Sequence, residues 1–451
     1  MLPIPPKTSH HPLRRAERVL TGCLLLLKLQ VLYRASGHLE GFDADPWLDV
    51  FRATHWFRPL PGPRSLFLAY HPPLSFLVAR LIYAVYPHEV QASQIVSTLA
   101  MIGATFALRD TLRTMGILWT LPGLVMLYVT ASLPLVVWLA IETSDDALVF
   151  MWFTLGLAVS ARLFWTPLPA GWWKRPRRLV AVVFLGLVLA AGLFTKFNAF
   201  FALPLPFLVI FARRGLAALL REAGAAVAAV ALATVLVGPF YVSRYYLPLH
   251  ALFPSNMDWI KAKDLKVALA RRDANRWGFW LHLLRVPAES VTGASSPVRD
   301  SFFHSLWLQL WKRDVFGLGK GRLEGPVAVA VSNFYVRIFP VFMAVSASLI
   351  CLSRRRLPAV WRTWGLVVVV VFVTYCGGLM SYAWKYPLWE WTPLKAKYVA
   401  PGVLWIGYCA ALPFVNRSTA PVSPWLGRVG TAGGLLAVVM FMFVNHLLPV
   451  Y

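Results

Sequence analysis

Charged residues are scarce in this sequence, since Asp, Glu, Lys and Arg together make up only 14% of its 451 residues. Soluble domains carry about 25% charged residues, which they need to cover their surface. Acidic residues are the scarcest, with 19 Asp and Glu against 44 Lys and Arg, whereas 58% of residues are hydrophobic. A bilayer removes the need for a charged surface. The composition therefore predicts an integral, multi-pass membrane protein.

Other absences exclude whole classes of function. The sequence has no phosphate-binding Gly-rich loop, no dinucleotide fingerprint and no serine-nucleophile motif, which argues against ATP-driven transport. Its four cysteines show no pairing pattern in the predicted outside loops, so no disulfide framework is expected. Its ten histidines lack metal-ligand spacing. The basic residues fall in short clusters between apolar runs, which argues against nucleic-acid binding.

The apolar runs predict an all-α bundle of about eleven transmembrane helices. They lie at 17–35, 92–108, 115–140, 147–165, 179–196, 198–212, 222–243, 331–352, 364–383, 397–415 and 428–449. Basic clusters, which mark the cytoplasmic side, occur at residues 7–18, 109–113, 174–178, 213–221, 354–362 and 417–428. The run 74–86 is too short to span and contains Arg80, so we expect a juxtamembrane helix in the outer interface.

This topology places the N-terminus inside and four segments outside: 36–91, 142–146, 245–330 and 384–396. It predicts an N-terminal transmembrane module (1–243), a long outside loop (244–330) and C-terminal transmembrane helices (331–451).

Acidic residues cluster in the first two outside segments. Asp43, Asp45 and Asp49 follow the first span, where a carboxylate could act as a general base or bind a divalent metal, or simply form a solvated turn. The second segment contains an acidic set at the start of the next span. Its members are Glu142, Asp145 and Asp146. The alternative interpretation of this set is helix capping, in which Ser144 or Asp145 serves as N-cap.

Two lysines near the predicted outer face are candidate phosphate ligands. Lys196 ends an otherwise apolar helix, where an ionisable residue indicates a functional site unless its side chain snorkels to the headgroups. Lys397 ends an aromatic and basic turn, whose other interpretation is an interfacial belt.

Several short motifs resemble one superfamily when taken in order. They are the first-loop acids (Asp43, Asp45), His71-Pro72-Pro73-Leu74, Asp145-Asp146-Ala147-Leu148, Leu193-Phe194-Thr195-Lys196, and Lys397-Tyr398 with Pro401. The chain resembles the membrane-embedded C-type glycosyltransferases, and within them the protein O-mannosyltransferase and lipid A aminoarabinose transferase branch. The resemblance covers the first 200 residues best.

The resemblance implies an inverting transfer of a hexose or pentose from a polyprenyl-phosphate donor to a hydroxyl of a glycan, lipid or protein. It implies Asp45, or Asp43 as second choice, and Asp146 as catalytic residues, with Asp49 still open because Pro46 replaces the family's usual second acid. It implies substrate or phosphate binding by Lys196, Lys397, His71, Asp145 and Glu142.

The same resemblance implies a bacterial inner membrane with the site facing the periplasm. It leaves a divalent cation, Mg²⁺ or Mn²⁺, open, with Asp45 and Asp146 as its ligands. Two other classes of function stay open. One is a transporter or flippase of a lipid-linked sugar, and the other is a structural protein that binds a partner through residues 245–330.

Overall fold

The computed structural model describes part of the chain. The described residues are 11–39, 44–56, 58–63, 65–66, 68–165, 171, 174–252, 306, 310, 357–385 and 396–415. Within these ranges every regular element is a helix and no strand occurs, which confirms the predicted all-α class. Asp43, the spans predicted at 331–352 and 428–449, and most of the predicted loop 245–330 lie outside the described residues.

The helices follow one another closely along the chain. Those of the first half are α1 (His11–Ala35), α2 (Ala44–Ala53), α3 (Leu74–Val85), α4 (Glu89–Thr114), α5 (Leu121–Ser132), α6 (Pro134–Leu139) and α7 (Asp146–Phe164). Those that follow are α8 (Pro176–Thr195), a 3₁₀ helix (Phe197–Ala202), α9 (Leu205–Arg214), α10 (Leu216–Tyr241), a π-helix (Val242–Tyr246), α11 (Leu247–Leu249), α12 (Ala359–Lys385), a 3₁₀ helix (Ala396–Val403), α13 (Leu404–Ala411) and a last 3₁₀ turn (Leu412–Phe414).

Six of the described helical segments are long and apolar enough to cross a membrane. They are Glu89–Thr114, Asp146–Phe164, Pro176–Thr195, Phe197–Arg214, Leu216–Leu249 and Ala359–Tyr382. These six agree with predicted spans, whereas the predicted count of about eleven is not confirmed by the described residues. The run predicted to lie in the interface is the 12-residue helix α3, which is too short to span.

The run 115–140 is not one continuous span, because the helix breaks at Leu133. Leu133 adopts an extended conformation (φ −54°, ψ 134°) between α5 and α6, as residues before proline tend to do. Pro134 also lacks the N–H that would continue the helical hydrogen bonds. The fully buried Lys28 of α1 donates from Nζ to the freed carbonyl of Ala131 at 2.9 Å. A cation thus occupies the negative end of α5.

Ion pairs tie the helices together at one end of the bundle. Arg109, near the end of α4, pairs with Glu17 at the start of α1. Asp110 binds Arg162, near the end of α7, and Arg214 at the end of α9 binds Glu222 on α10. The start of α7 and the end of α8 therefore lie at the opposite end, away from the basic clusters.

At that opposite end, α3 is fastened to α2 by Arg80. Its guanidinium donates to the carbonyls of Thr54 (2.9 Å), Phe51 (2.7 Å) and Arg52 (3.0 Å) and lies over the Phe51 ring. These bonds satisfy carbonyls that the C-terminus of α2 leaves without helical partners. Arg80, which spoke against a span at 74–86, therefore serves to cap α2.

Helices α8 and α10 approach closely where Gly186 faces Ala229. A Cβ on Gly186 would lie 2.9 Å from the Ala229 carbonyl oxygen. Buried alanines on α10, including Ala225 and Ala233, continue this narrow interface, as is usual where helix backbones meet in membranes.

We expect Gly186→Ala to lower the free energy of unfolding by about 1–3 kcal/mol, because the added methyl group forces apart two packed backbones. Gly224→Ala is the matched control, since a Cβ there has no atom within 4 Å. Thermal or denaturant unfolding of the purified protein in one detergent measures both variants. Equal stability of the two variants would contradict the close packing.

Candidate functional site

The second acidic turn, which connects α6 to α7, is held in place by α4. Ser97 Oγ donates to the Glu142 carbonyl (2.7 Å) and Thr98 Oγ1 to the Ala140 carbonyl (2.6 Å). Asp145 occupies the N-cap position of α7, but its side chain makes no capping bond. The Ser144 hydroxyl accepts from the Asp146 N–H instead (3.3 Å). Capping alone therefore does not account for the carboxylates, which point to other partners.

Lys196 bridges the two aspartates of this turn. Its backbone is extended (φ −163°, ψ 149°), so α8 ends at Thr195 and a 3₁₀ helix follows. Its Nζ donates to Asp145 Oδ1 and Asp146 Oδ1, each at 2.7 Å. The side chain is only 8% exposed, so it pairs with the acids rather than snorkelling to the headgroups.

Lys397 reaches the same turn from the far part of the sequence. Its 3₁₀ helix places Nζ on Glu142 Oε1 and 3.2 Å from Asp146 Oδ2. Asp146 therefore lies between two ammonium groups. The Lys397–Glu142 pair joins residues that are 255 positions apart, which closes the site between its N-terminal and C-terminal parts.

His71 completes the group from the segment before α3. Its Nδ1 lies 2.6 Å from Asp145 Oδ2, on the carboxylate oxygen that Lys196 does not use. Pro72 and Pro73 follow, and α3 begins at Leu74. Two prolines restrict the backbone here, so the position of His71 is fixed with little freedom.

Together these six residues form what we call the charge cluster. Its members are His71, Glu142, Asp145, Asp146, Lys196 and Lys397. All six are buried, with exposures from 0% for Glu142 to 7% for His71 and 8% for Lys196. Three carboxylates face two ammonium groups, and the charges balance when the imidazole is protonated. Buried charges are tolerated only when paired in this way.

Electrostatic interactions within the charge cluster keep Asp145 and Lys196 charged. Burial alone would raise the pKa of Asp145, but the charges of Lys196 and His71 outweigh it and hold that pKa below its ordinary value. Burial alone would likewise lower the pKa of Lys196. The negative charges of Asp145 and Asp146 outweigh this effect, so the pKa of Lys196 is raised above its ordinary value. Both groups are therefore ionised at neutral pH.

The first-loop acids lie apart from the charge cluster's ion pairs. Asp45 stands exposed in the first turn of α2, and Asp49 is exposed one turn later, 3.7 Å from Arg52. The connection to the cluster runs through packing, because Trp47 on α2 lies 5.0 Å from Phe76 on α3 between ring centroids. Helix α3 in turn follows His71. The structure thus brings six of the eight predicted residues together, leaves Asp45 outside and does not describe Asp43.

One residue of the site was quoted in a motif without being assigned a role. The ring of Tyr398 lies 4.8 Å from Lys196 Nζ and 6.0 Å from Lys397 Nζ, so it covers both ammonium groups. Such cation–π contacts stabilise a partly buried cation. Its position beside Lys397 in the sequence was the available signal.

The described carboxylates do not form a metal site. No group of three or more His, Cys, Asp or Glu side chains in the described ranges is placed to hold a metal ion. Of the two predicted ligands, Asp146 has its oxygens on Lys196 and Lys397, and Asp45 lies on α2 outside the charge cluster. The donor set therefore suits anion binding by lysines better than cation binding.

Comparison with known proteins finds likeness in structure and not in sequence. No family model matches the sequence, and no curated protein matches it. The apo crystal structure of the Archaeoglobus fulgidus oligosaccharyltransferase is similar to this chain, with a TM-score of 0.53 and 13% identity. The similarity covers 96% of this chain and 55% of the oligosaccharyltransferase chain. The structure of ArnT from Cupriavidus metallidurans bound to undecaprenyl phosphate has a TM-score of 0.46 and 15% identity to this chain. The similarity covers 95% of this chain and 66% of the ArnT chain.

The chain shares the fold of the archaeal oligosaccharyltransferase, which is itself a membrane glycosyltransferase of the C-type class. This chain spans about half (55%) of the length of the archaeal oligosaccharyltransferase. The superfamily resemblance predicted from the motifs is thus confirmed as a resemblance of fold. The same archaeal enzyme has been solved with Zn and sulfate.

Proposed function

We propose that this protein transfers a monosaccharide from a polyprenyl-phosphate donor to an acceptor hydroxyl at the outer face of a membrane. The observation that supports it most is the charge cluster, a buried set of paired lysines and acids at the end of the bundle opposite the basic clusters. A purely structural membrane protein would gain little from six buried ionisable groups, because their desolvation is costly. The shared fold with a glycosyltransferase agrees with this function.

Lys196 is the proposed ligand of the donor phosphate. It is the most exposed of the two cluster lysines, at 8% against 3% for Lys397. An ammonium group carries three protons, and two of those on Lys196 are used by Asp145 and Asp146. Its third proton is left for an incoming phosphate oxygen. Lys397 lies on the other side of Asp146, which separates the two ammonium groups.

Asp45 is the proposed general base. It is exposed, whereas the carboxylates of Asp145 and Asp146 are buried and paired with Lys196. The acceptor oxygen would attack the anomeric carbon as its proton moves to Asp45. The bond from that carbon to the phosphate oxygen breaks, the phosphate leaves with the electron pair, and Lys196 stabilises its added charge. Attack from the side opposite the leaving group inverts the anomeric centre.

We expect Asp45→Asn to lower transfer by about 10²-fold or more, because a general base contributes a factor of that size. The assay uses a labelled polyprenyl-phosphate monosaccharide in proteoliposomes containing the full chain. Asp43→Asn and Asp49→Asn are the comparison variants, and Asp49 is matched because it stands exposed on the same helix. Full activity of Asp45→Asn would overturn the assignment of the base. Movement of the labelled lipid across the bilayer without any transfer would overturn the function and favour a flippase.

The finer expectations rest on the sequence motifs. We propose a bacterial inner membrane with the site facing the periplasm, and a glycan, lipid or protein as acceptor. A panel of donors carrying hexoses and pentoses, offered in the same assay, identifies the sugar. No role for a divalent cation is proposed at Asp146, because its two oxygens are engaged by Lys196 and Lys397.

A further inference from the structure

The loop between α2 and α3 is also attached to the end of α10, through contacts separate from the ion pairs of the charge cluster. Arg244 Nη2 donates to the carbonyl of Pro61 at 2.5 Å and to the carbonyl of Ala69 at 2.9 Å. A single nitrogen thus gathers two loop carbonyls that are eight positions apart in the sequence. The Ala69 side chain is itself buried, at 1% exposure.

Arg244 projects from an unusual backbone. It lies in the π-helix Val242–Tyr246, which follows Pro239 at the end of α10. π-Helical turns are rare and often occur at functional positions. The wider turn is stabilised by Tyr245, which is fully buried and packs edge-on against Phe197 and Tyr241 at ring-centroid distances of 5.3 and 5.4 Å.

The loop carries this attachment directly to His71. The Ala69 N–H donates to the Leu66 carbonyl, and the His71 N–H donates to the Leu68 carbonyl, so Leu68 to His71 form a turn. Ala69 is only two residues before His71. Tyr70, between them, stacks on Phe197, the residue after Lys196. His71 and Lys196 therefore approach Asp145 from elements that the end of α10 holds together.

We propose that Arg244 is a positioning residue that holds His71 against Asp145 by clamping Pro61 and Ala69, in the loop before His71, to the π-helix. It touches neither Asp145 nor the two lysines among the contacts of the described residues, so it acts through the loop. Without the clamp, two charge-assisted hydrogen bonds are lost and the loop gains freedom next to the site. The consequence for activity rests on the proposed function, whereas the consequence for His71 does not.

The test measures the accessibility of His71 in the full chain. Diethyl pyrocarbonate labels accessible imidazoles, and mass spectrometry gives the rate at His71 relative to His88, which is exposed. We expect Arg244→Gln to raise this ratio by about tenfold, because the lost hydrogen bonds shift local opening by at least that factor. Arg244→Lys should restore most of the protection, since both bonds come from one nitrogen and an ammonium group carries three protons.

The control is Arg221→Gln, the same change on the exposed face of α10 near its other end, where the ratio should not change. An unchanged ratio in Arg244→Gln, or equal labelling of Arg244→Lys and Arg244→Gln, would overturn the clamp. Maleimide labelling of the buried Cys409 reports global unfolding. If Arg244→Gln also exposes Cys409, the lysine variant decides: protection of His71 supports the clamp and labelling overturns it.

Transfer assays on the same variants separate this inference from the proposed function. Arg244→Gln should lose transfer in parallel with the rise in His71 labelling, and Arg244→Lys should recover both. Wild-type protein that transfers no sugar but shows the labelling pattern would refute the function and leave the clamp supported. Transfer by Arg244→Gln at the wild-type rate, with His71 exposed, would show that the clamp does not serve catalysis.

Discussion

Transfer by the Lys196→Met variant is expected to fall by about 10²- to 10³-fold at saturating donor, the cost of removing one group that stabilises charge in a transition state. The bond to the leaving phosphate breaks as negative charge grows on its oxygen, and methionine has no charge to offer. Lys397 is more deeply buried than Lys196 and lies on the other side of Asp146, so we do not expect it to replace Lys196. Initial rates in proteoliposomes measure the effect.

The controls separate the loss of a phosphate ligand from a loss of fold. Lys174→Met removes an exposed lysine near the opposite end of α8 and should keep wild-type activity. Lys196→Arg keeps the charge and should retain part of the activity, although a planar guanidinium fits the two aspartates differently. Rates are normalised to the folded fraction, measured by thermal unfolding. A Lys196→Met variant that is folded and transfers at more than half the wild-type rate would refute the role of Lys196.

The sequence contained the acids and Lys196 as local patterns, which is why they could be predicted. Glu142, Asp145 and Asp146 stand where one apolar run ends and another begins, and Lys196 interrupts an apolar stretch. Helix ends at a membrane surface are forced to the same level by the length of the spans. Two spans with opposite directions, α7 and α8, therefore suffice to place the acidic turn and Lys196 at the same end.

Contacts between distant segments could not be read from patterns of this kind. Lys397 meets Glu142 across 255 positions, and periodicity says nothing about which of several lysines in an aromatic turn faces inward. Nothing in the sequence marks Arg244, because its partners are backbone carbonyls, which leave no trace in the sequence. Such contacts depend on how helices pack and not on local preference.

The sequence itself marks a break in the run 115–140, which hydropathy predicts as one span. Pro134 lies within the run, and the residue before a proline avoids the helical conformation. Hydropathy alone treats the run as one span, since a buried break costs nothing in composition. Lys28 was the second signal, a lysine in the middle of the first apolar run whose Nζ donates to the Ala131 carbonyl. Because of the break, the acidic turn follows the short helix α6 and not a continuation of α5.

The catalytic acid is the part of the site that the geometry changed most. The motifs implied Asp45 and Asp146 alike, but Asp146 is held by two lysines and Asp45 is exposed. Their environments differ, because Asp45 is open to solvent and to an acceptor hydroxyl, whereas both oxygens of Asp146 face ammonium groups. We therefore propose an anchoring role for Asp146, which orients the two lysines, and keep the base on α2.

The pair of Lys397 and Glu142 should show strong coupling in stability. Lys397→Met leaves Glu142 buried at 0% exposure and Asp146 short of one cation. We expect it to lower the free energy of unfolding by about 3–5 kcal/mol, the cost of breaking one partner of a buried ion pair. Adding Glu142→Gln removes the stranded charge, so the double variant should recover much of that loss. Thermal unfolding of the two single variants and the double variant in one detergent measures the coupling.

The matched control for this cycle is the exposed pair of Asp49 and Arg52, whose side chains are 59% and 56% exposed at a distance of 3.7 Å. Exposed pairs contribute about 0–1 kcal/mol, so Asp49→Asn with Arg52→Met should show almost no coupling. A double variant of Lys397 and Glu142 that is as unstable as the two single losses added together would contradict a buried pair. Recovery of stability without recovery of transfer is the expected result for the double variant, because the same substitutions remove a charge that the proposed site needs.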